Sequence, residues 1–319
     1  MINLKNKKGF EFSFGWLFSI IVGAVIIFLA IYFAMNIVST GRNSQDTVAG
    51  SALGVILTPI ETSLEGINKP EPIVFPVRTR VYNYCYGSGN FGEQKIAIAT
   101  QSGLGKKWEN PGVPSTYYNK YIFSKSTVEG SKANVIAKPF AYPYKVGDVI
   151  YLWSADDKYC FVSAPKDIES ELGDLNIKGL NFTSTLAECA KNSTTICFSS
   201  FSGCDVIVST IANTVSKDGV TEMYPKDNNA LLYGAIFADP GIYECQAKRL
   251  MKRTGELAFL YKSKSELLAS KGCGSNLQDD LLVYSSATLQ FNSSASFSQT
   301  DVQMEGIDGK NKYLACKVY

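Results

Sequence analysis

The stretch Trp16–Val38, WLFSIIVGAVIIFLAIYFAMNIV, decides the architecture that the sequence predicts. Its 23 residues include no charged side chain, and as a helix they extend about 34 Å, enough to cross a hydrocarbon core of about 30 Å. The apolar run is also longer than the roughly 7–15 residues of a secretory signal peptide. We therefore predict a transmembrane helix over residues 14–40 that is retained in the mature protein.

Charges on either side of this helix predict its orientation. Lys5, Lys7 and Lys8 precede it, and Arg42 is the first basic residue after it. Because positive charge is retained on the cytoplasmic side, residues 1–13 are expected to be cytoplasmic and the chain beyond the helix to be extracytoplasmic. The sequence thus predicts a single-pass cell-membrane protein, which contacts the lipid bilayer through the helix and could form oligomers through it.

The segment that follows, residues 41–72, is predicted to contain an amphipathic helix and a linker. A polar break over residues 43–46 ends the hydrophobic helix, and Pro59 is expected to interrupt the second one. The run NKPEPIVFP has closely spaced prolines, which is typical of a linker. The extracytoplasmic domain is expected to comprise residues 73–319, with a break between two subdomains near residues 165–190.

Eight cysteines, all after the hydrophobic helix, predict a disulfide framework, because an even number of cysteines in an oxidising compartment favours pairing. Zinc binding is disfavoured because the chain has no C-x-x-C spacing and no histidine. Cys197 and Cys204 are close enough for a local pair, whereas Cys85 and Cys160 lie in strand-like sequence and could join neighbouring strands. The candidates are Cys85, Cys160, Cys189, Cys197, Cys204, Cys245, Cys273 and Cys316.

A long helix is predicted over residues 239–271, where apolar side chains recur at helical spacing behind Asp239 as the expected N-cap. Cys245 and Cys273 bracket this helix and would lie about 42 Å apart if it is unbroken. A disulfide requires Cα atoms within roughly 7 Å of each other. We therefore expect each of the two to pair elsewhere, unless Gly255 turns the segment into a hairpin.

The remainder of the outer domain is predicted to be mainly strands. Runs rich in Val, Ile, Tyr and Phe alternate with turn residues over residues 73–163, and further runs extend to ALLYGAIF at 230–237. Residues 281–289 favour a helix or a strand, and KYLACKVY at 312–319 favours a last strand. The predicted fold class is α+β: an N-terminal transmembrane helix, then a mainly antiparallel β, disulfide-containing extracytoplasmic domain with a long helix in its C-terminal half.

The composition excludes several classes of function. The absence of histidine excludes Ser-His-Asp and Cys-His catalysis and histidine metal sites. Residues 1–42 have a net charge of +3 and the whole chain has +2, so the rest of the chain has a net charge of −1. A near-neutral outer domain gives no case for nucleic-acid binding. GSGNFG at residues 87–92 matches the dinucleotide-binding pattern, but a strand follows it, so a hairpin loop is expected. We expect no cofactor and no metal.

Charged clusters leave one enzymatic alternative, a membrane-tethered hydrolase that uses carboxylates, because adjacent aspartates occur at residues 156–157 and 279–280. Adjacent carboxylates in turns are more often solvated loop residues or helix caps. Four basic side chains could hold an anionic sugar or a phosphate but are expected to form the solvated back of the long helix. They are Lys248, Arg249, Lys252 and Arg253.

Two stretches carry a resemblance to a known group. KKGFEFSFGWLFSIIVGAVIIFLAIY, residues 7–32, resembles the N-termini of uncharacterised single-pass proteins of small-genome archaea. DPGIYECQAKRLMKR, residues 239–253, resembles a cysteine-containing helix of the same group. The resemblance covers the anchor and one helix. It implies membrane attachment in an archaeal envelope and no known activity.

The N-terminus is also similar to type IV pilin-like precursors, including those with archaeal class III signal peptides. Their pattern is a short basic leader that ends in glycine, followed by an uncleaved hydrophobic helix that packs the filament core. Lys7, Lys8, Gly9 and Phe10 match this boundary, which makes Gly9 and Phe10 the candidate cleavage site. Pilins commonly carry a glutamate at the fifth mature position, whereas here Glu11 is at the second.

Three N-x-[ST] sequons, at Asn181, Asn192 and Asn292, lie beyond the hydrophobic helix and are candidate sites of N-glycosylation. We expect a membrane-anchored extracytoplasmic surface protein with a structural or binding role and no evident catalysis. Its expected partner is an envelope protein or a glycan. The alternatives are a pilin-like subunit with a class III signal and the carboxylate hydrolase.

Overall fold

Helix α1, Phe14–Thr62, is the longest element in the described part of the molecule. The computed structural model describes residues 14–62, 72–101, 107–198 and 203–319. α1 contains 49 residues, which corresponds to about 74 Å at the usual helical rise. Within the described residues, no helix is both long enough and apolar enough to cross a membrane.

The predicted break and interruption in this region are wrong, because residues 43–46 and Pro59 all lie inside α1. Asp46 is tolerated there because the domain supplies hydrogen-bond donors for its side chain. The carboxylate of Asp46 accepts hydrogen bonds from the backbone N–H of Thr100 at 3.1 Å and from its hydroxyl at 3.3 Å. Tertiary contacts here override the weaker local preference that the sequence suggests.

Six strands form the first sheet: β1 Ile73–Tyr86, β2 Glu93–Thr100, β3 Ser115–Tyr117, β4 Tyr121–Phe123, β5 Thr127–Ala141 and β6 Lys145–Ser154. Their order across the sheet is β3-β2-β1-β5-β6-β4. Neighbouring strands are antiparallel except β4 and β6. Residues 87–92 connect β1 to β2, and Gly89 and Gly92 adopt φ of 76° and 60° there, so the predicted hairpin is confirmed.

Six further strands form a second sheet: β7 Tyr159–Val162, β8 Leu180–Thr183, β9 Thr194–Cys197, β10 Val206–Ser209, β11 Thr214–Lys217 and β12 Val220–Met223. Their order is β12-β11-β10-β9-β7-β8, and the pairs from β10 to β8 are parallel. Helix α2, Lys166–Gly173, carries the chain across between β7 and β8, which returns it in the same direction. The mainly antiparallel expectation therefore describes the first sheet but only part of the second.

Four helices follow the second sheet: α3 Asn229–Phe237, α4 Pro240–Ser270, α5 Gln278–Leu289 and α6 Phe297–Lys312. The predicted long helix is confirmed as α4, which begins after Asp239 as its N-cap and has a proline in its first turn. Gly255 lies inside α4 and forms no hairpin. A Cβ atom there would approach Leu289 of α5 to 2.7 Å, so this glycine lets the two helices pack closely. The domain is thus α+β with two sheets.

Two predicted strands are wrong. ALLYGAIF at residues 230–237 lies in α3, whose N-cap Asn228 accepts a hydrogen bond from the Leu231 N–H at 3.2 Å. This helix is buried on all sides, so its sequence lacks the alternation between apolar and polar residues that would indicate a helix. After α6 the chain end forms no strand. The N–H of Val318 donates to the side chain of Asn311 at 2.8 Å instead.

The predicted disulfide framework is confirmed, because the structure pairs all eight cysteines. The expected local pair, Cys197 with Cys204, is present. α4 separates Cys245 from Cys273, and each bonds elsewhere, as its length required. The four disulfides are Cys85–Cys245, Cys160–Cys189, Cys197–Cys204 and Cys273–Cys316.

The suggestion that Cys85 and Cys160 join neighbouring strands is wrong. Cys85 in β1 bonds to Cys245 in α4, with 6.0 Å between the Cα atoms, so this bond ties the first sheet to a helix. Cys160 in β7 bonds to Cys189, which follows a short 3-10 turn. Strand-like sequence around a cysteine does not reveal which element lies across from it.

Apolar side chains form two main cores. The larger core lies among the two sheets and helices α2–α6, and it is rich in aromatic rings such as Trp153, Phe161 and Tyr243. The other core lies between α1 and the first sheet. Its buried members are Leu53, Leu57, Val81, Ile96, Ile98, Ile122, Val128, Ala133, Val135, Ile150 and Leu152.

Candidate functional site

Apolar side chains in the first half of α1 are exposed on every side of the helix. Thirteen consecutive residues, Ile21–Phe33, are described there, and all except Gly23 are exposed, with 69% exposure for Phe28. Successive residues in a helix point about 100° apart, so this run covers the whole circumference more than three times. A helix that is apolar on all sides suits an apolar surrounding, either a protein interior or a membrane.

The second half of α1 is docked on the first sheet. Leu57 is fully buried in the core beneath it. Polar contacts flank this apolar contact: Thr47 Oγ1 accepts a hydrogen bond from the Val113 N–H at 2.9 Å, and the hydroxyls of Ser51 and Ser115 lie 2.7 Å apart. Together with the buried Asp46 carboxylate, these contacts fix both the position and the rotation of the helix on the sheet.

Two glycines allow this close approach. A Cβ atom on Gly54 would collide with the ring of Tyr117, and one on Gly50 would lie 3.6 Å from the carbonyl oxygen of Ile96. The Tyr117 hydroxyl donates to the carbonyl of Ser51 at 3.3 Å. The G-x-x-x-G spacing of residues 50–54 is the feature of the sequence that signals this close packing.

The remaining predicted site residues are scattered over the molecule. Gly9 and Phe10, the candidate cleavage site, lie outside the described residues. The three sequon asparagines, Asn181, Asn192 and Asn292, are all exposed, and they lie on different elements. The structure does not bring them together with one another or with α1 into one site.

The paired carboxylates do not form a catalytic pair. Asp157 forms an ion pair with Lys125 at 3.1 Å, and Asp280 forms one with Lys310 at 2.5 Å. The two aspartate pairs lie in different elements, in the turn after β6 and in the first turn of α5. Their arrangement gives no support to a hydrolase that uses two converging carboxylates.

Arg249 corrects the expectation of a solvated basic face on the long helix, because its side chain is fully buried. Its guanidinium donates to the carbonyl oxygens of Lys120 at 2.8 Å and Tyr118 at 2.9 Å. Burial lowers the pKa of Arg249 to about 10. This arginine holds the loop before β4 against α4 and is therefore structural rather than an anion-binding residue.

An apolar cavity of about 330 Å³ lies beside β5, α2 and α3 and was not foreseen from the sequence. Lys138 and Glu171 form an ion pair at its wall, and the Tyr233 hydroxyl donates to Glu171 Oε2 at 2.8 Å. Burial and the nearby Glu171 raise the pKa of Tyr233 above its ordinary value. With its one carboxylate already held by two partners, the cavity suits a small apolar ligand better than acid–base chemistry.

Glu222 in β12 is a buried acid with no hydrogen-bond partner for either carboxylate oxygen. Burial raises its pKa to about 8, although nearby Lys217 opposes the shift. The Lys217 ammonium is itself engaged, since it donates to the carbonyl oxygen of Ala235 at 2.6 Å and to that of Ala238. Burial therefore favours the protonated form of this acid.

Comparison with known proteins gives no further guide. No protein-family model, curated protein or solved structure matches this chain. Among the described residues, no group of three or more acidic or cysteine side chains could hold a metal ion. α1 is the feature in which the structure departs most from an ordinary globular domain.

Proposed function

We propose that this protein is a pilin-like structural subunit of the cell surface, held in the membrane by the first half of α1 until it assembles. The observation that carries the proposal is the continuity of α1. One half is exposed and apolar on all sides, and the other half is docked in the domain core. The same helix thus provides an anchor and the spine of the domain.

A simple tether would not need this construction. A flexible linker after the anchor would suffice to keep a binding domain near the membrane. Here Asp46, Leu57 and Gly54 instead fix the domain rigidly to the helix. Rigid attachment matters where the exposed half must pack against copies of itself while the domains keep a fixed orientation.

Other features support an extracytoplasmic, membrane-held location. Four disulfides favour an oxidising compartment. The lysines before α1 and the uncharged stretch of residues 16–38 favour a helix that crosses the bilayer with its N-terminus inside. The run Lys7–Phe10 matches the leader boundary of pilin-like precursors, and cleavage after Gly9 would leave the hydrophobic helix on the mature subunit.

The intact mass of protein purified from its native membrane tests the proposal. We expect a mass short by residues 1–9, with Phe10 as the new N-terminus, and filaments in electron micrographs of material sheared from cells. A Gly9→Val variant should keep its leader, remain in the membrane and form no filaments. A full-length, unassembled wild-type chain would show that α1 is an ordinary anchor.

A further inference from the structure

The three sequons differ in the environment of the hydroxyl two residues after each asparagine. For Asn292 this residue is Ser294, which is buried. Its hydroxyl donates to Glu244 Oε1 at 2.5 Å and accepts the Met223 N–H at 3.0 Å. In the folded chain this sequon is therefore closed to an enzyme that must engage its hydroxyl.

The other two sequons are more open, and Asn192 is the more open of them. Asn181 lies within strand β8, where the hydroxyl of Thr183 donates to the carbonyl of Thr185 at 3.0 Å. Asn192 is exposed in the loop before β9. Within the described parts of the chain, neither the amide of Asn192 nor the hydroxyl of Thr194 makes a hydrogen bond, so both groups that the enzyme must engage are free of protein partners.

Asn192 also lines a polar cavity of about 470 Å³. This volume is within the range of about 300–1,000 Å³ that is typical of small-ligand sites. Tyr159 and Phe237 line it, with their ring centroids 5.1 Å apart. The cavity thus combines aromatic side chains with polar and charged ones.

The charges around this cavity balance. Three lysines and three aspartates line it, and several are held by protein partners: Asp205 accepts the Thr195 N–H at 2.7 Å, and Asp239 accepts the Ser126 N–H at 2.6 Å. A neutral, hydroxyl-rich ligand suits such a wall, because fixed charged groups can exchange hydrogen bonds with hydroxyls without a net charge to neutralise. The six residues are Lys125, Lys191, Lys217, Asp205, Asp218 and Asp239.

We infer that Asn192 carries an N-linked glycan whose first, neutral sugars lie in this cavity. The inference rests on the extracytoplasmic location in the proposed function. The side-chain nitrogen of Asn192 forms a bond to the anomeric carbon of a sugar carried on a lipid phosphate. The bond from that carbon to the phosphate oxygen breaks, the phosphate leaves with the electron pair, and the amide gives up one proton.

Glycopeptide mapping of the full chain from its native membrane tests the attachment. We expect a glycan at Asn192 and none at Asn292. The thermal midpoint tests the position of the glycan: Asn192→Gln should lower Tm by about 2–4 °C. Thr194→Val, which removes the sequon but keeps the asparagine, should lower it equally. Asn292→Gln is the matched control and should leave Tm unchanged.

Two results would overturn the inference. If external protease reaches the chain but Asn192 is unmodified, there is no glycan at this site, and the proposed function is unaffected. If Asn192 is modified but neither Asn192→Gln nor Thr194→Val changes Tm, the sugars do not lie in the cavity.

Discussion

The two halves of α1 have the same backbone conformation and opposite surroundings. In the first half, Leu29 and its neighbours are exposed around the whole helix, whereas Leu57 in the second half is fully buried against the first sheet. Helix formation alone cannot account for both, because burial of an apolar face normally stabilises a helix in water. The second half is therefore part of the domain, whereas the first half presents apolar surface that the described chain does not cover.

Leucine truncation in each half gives the largest expected difference. Leu57→Ala should lower the free energy of unfolding by about 2–5 kcal/mol, because it leaves a cavity in the core between α1 and the sheet. Leu29→Ala makes the same chemical change at an exposed position and should alter it by less than about 0.5 kcal/mol. Denaturant unfolding of both full-length variants in detergent measures the difference, and equal losses would mean that both halves are packed in the domain.

An aspartate introduced into each half should have the larger effect in the first half, the reverse of the result expected for leucine truncation. Ile27→Asp should weaken membrane insertion by about 2.5–3.5 kcal/mol and leave the domain folded, because a carboxylate in the bilayer core is poorly solvated. Val55→Asp places the same charge at an exposed position of the docked half and should change neither property. The readout is the fraction of chain that resists alkaline extraction from membranes, and unchanged extraction of the Ile27→Asp chain would argue against a bilayer around the first half.

A methyl group on each half tests the closeness of the docking. Gly54→Ala should lower the free energy of unfolding by about 1–3 kcal/mol, since the added carbon meets the Tyr117 ring. Gly23→Ala adds the same carbon where nothing lies within 4 Å and should cost nothing. Thermal denaturation of the two chains decides it. A Gly54→Ala chain as stable as wild type would mean that α1 is not seated on β3 as described.

Loss of one polar contact should have a smaller effect. Asp46→Asn keeps the shape of the side chain but removes the charge that accepts two hydrogen bonds from Thr100, so we expect a loss of about 1–2 kcal/mol. Hydrogen exchange of the Thr100 amide should become faster in this variant. Exchange at Val113, whose amide is held by Thr47, is the internal control and should change less.

The smallest expected effect is the change with pH in the stability loss caused by Leu57→Ala, which tests whether the docking depends on the second sheet. The folded chain holds the Glu222 proton more tightly than the unfolded chain, with a pKa of about 8 against an ordinary 4.5, so stability should fall as pH rises from about 4.5 to 8. Glu222→Gln should remove this fall. The loss caused by Leu57→Ala should nevertheless differ by less than about 0.5 kcal/mol between pH 5 and pH 8, and a larger difference would couple the two regions.

Sequence reasoning succeeded where a local signal matched the final structure. The capped periodic segment behind Asp239 became α4, and the glycine-rich run at residues 87–92 became a hairpin. It failed where distant parts of the chain decide the outcome. α3 reads as a strand because it is buried on all sides, and the second sheet is partly parallel because α2 intervenes between its strands.

The candidate site was predictable only in part. The apolar half of α1 is evident from composition, but its continuity with the docked half depends on Asp46 meeting Thr100, which is 54 residues away. The buried position of Arg249 depends in the same way on carbonyl groups more than a hundred residues distant. Charge patterns along one helix cannot reveal such partners, because they identify a polar side chain without showing what the rest of the fold places against it.

If the chain assembles as proposed, its disulfides determine how tension would pass through each copy. Cys85–Cys245 spans 160 residues of chain and Cys273–Cys316 spans 43, so a force between α1 and the C-terminus would pass from β1 directly to α4 and then to the last residues. The whole second sheet lies inside the first covalent loop and would bear no load along the chain. A surface fibre built this way could be stretched while the region that carries Asn192 stays folded.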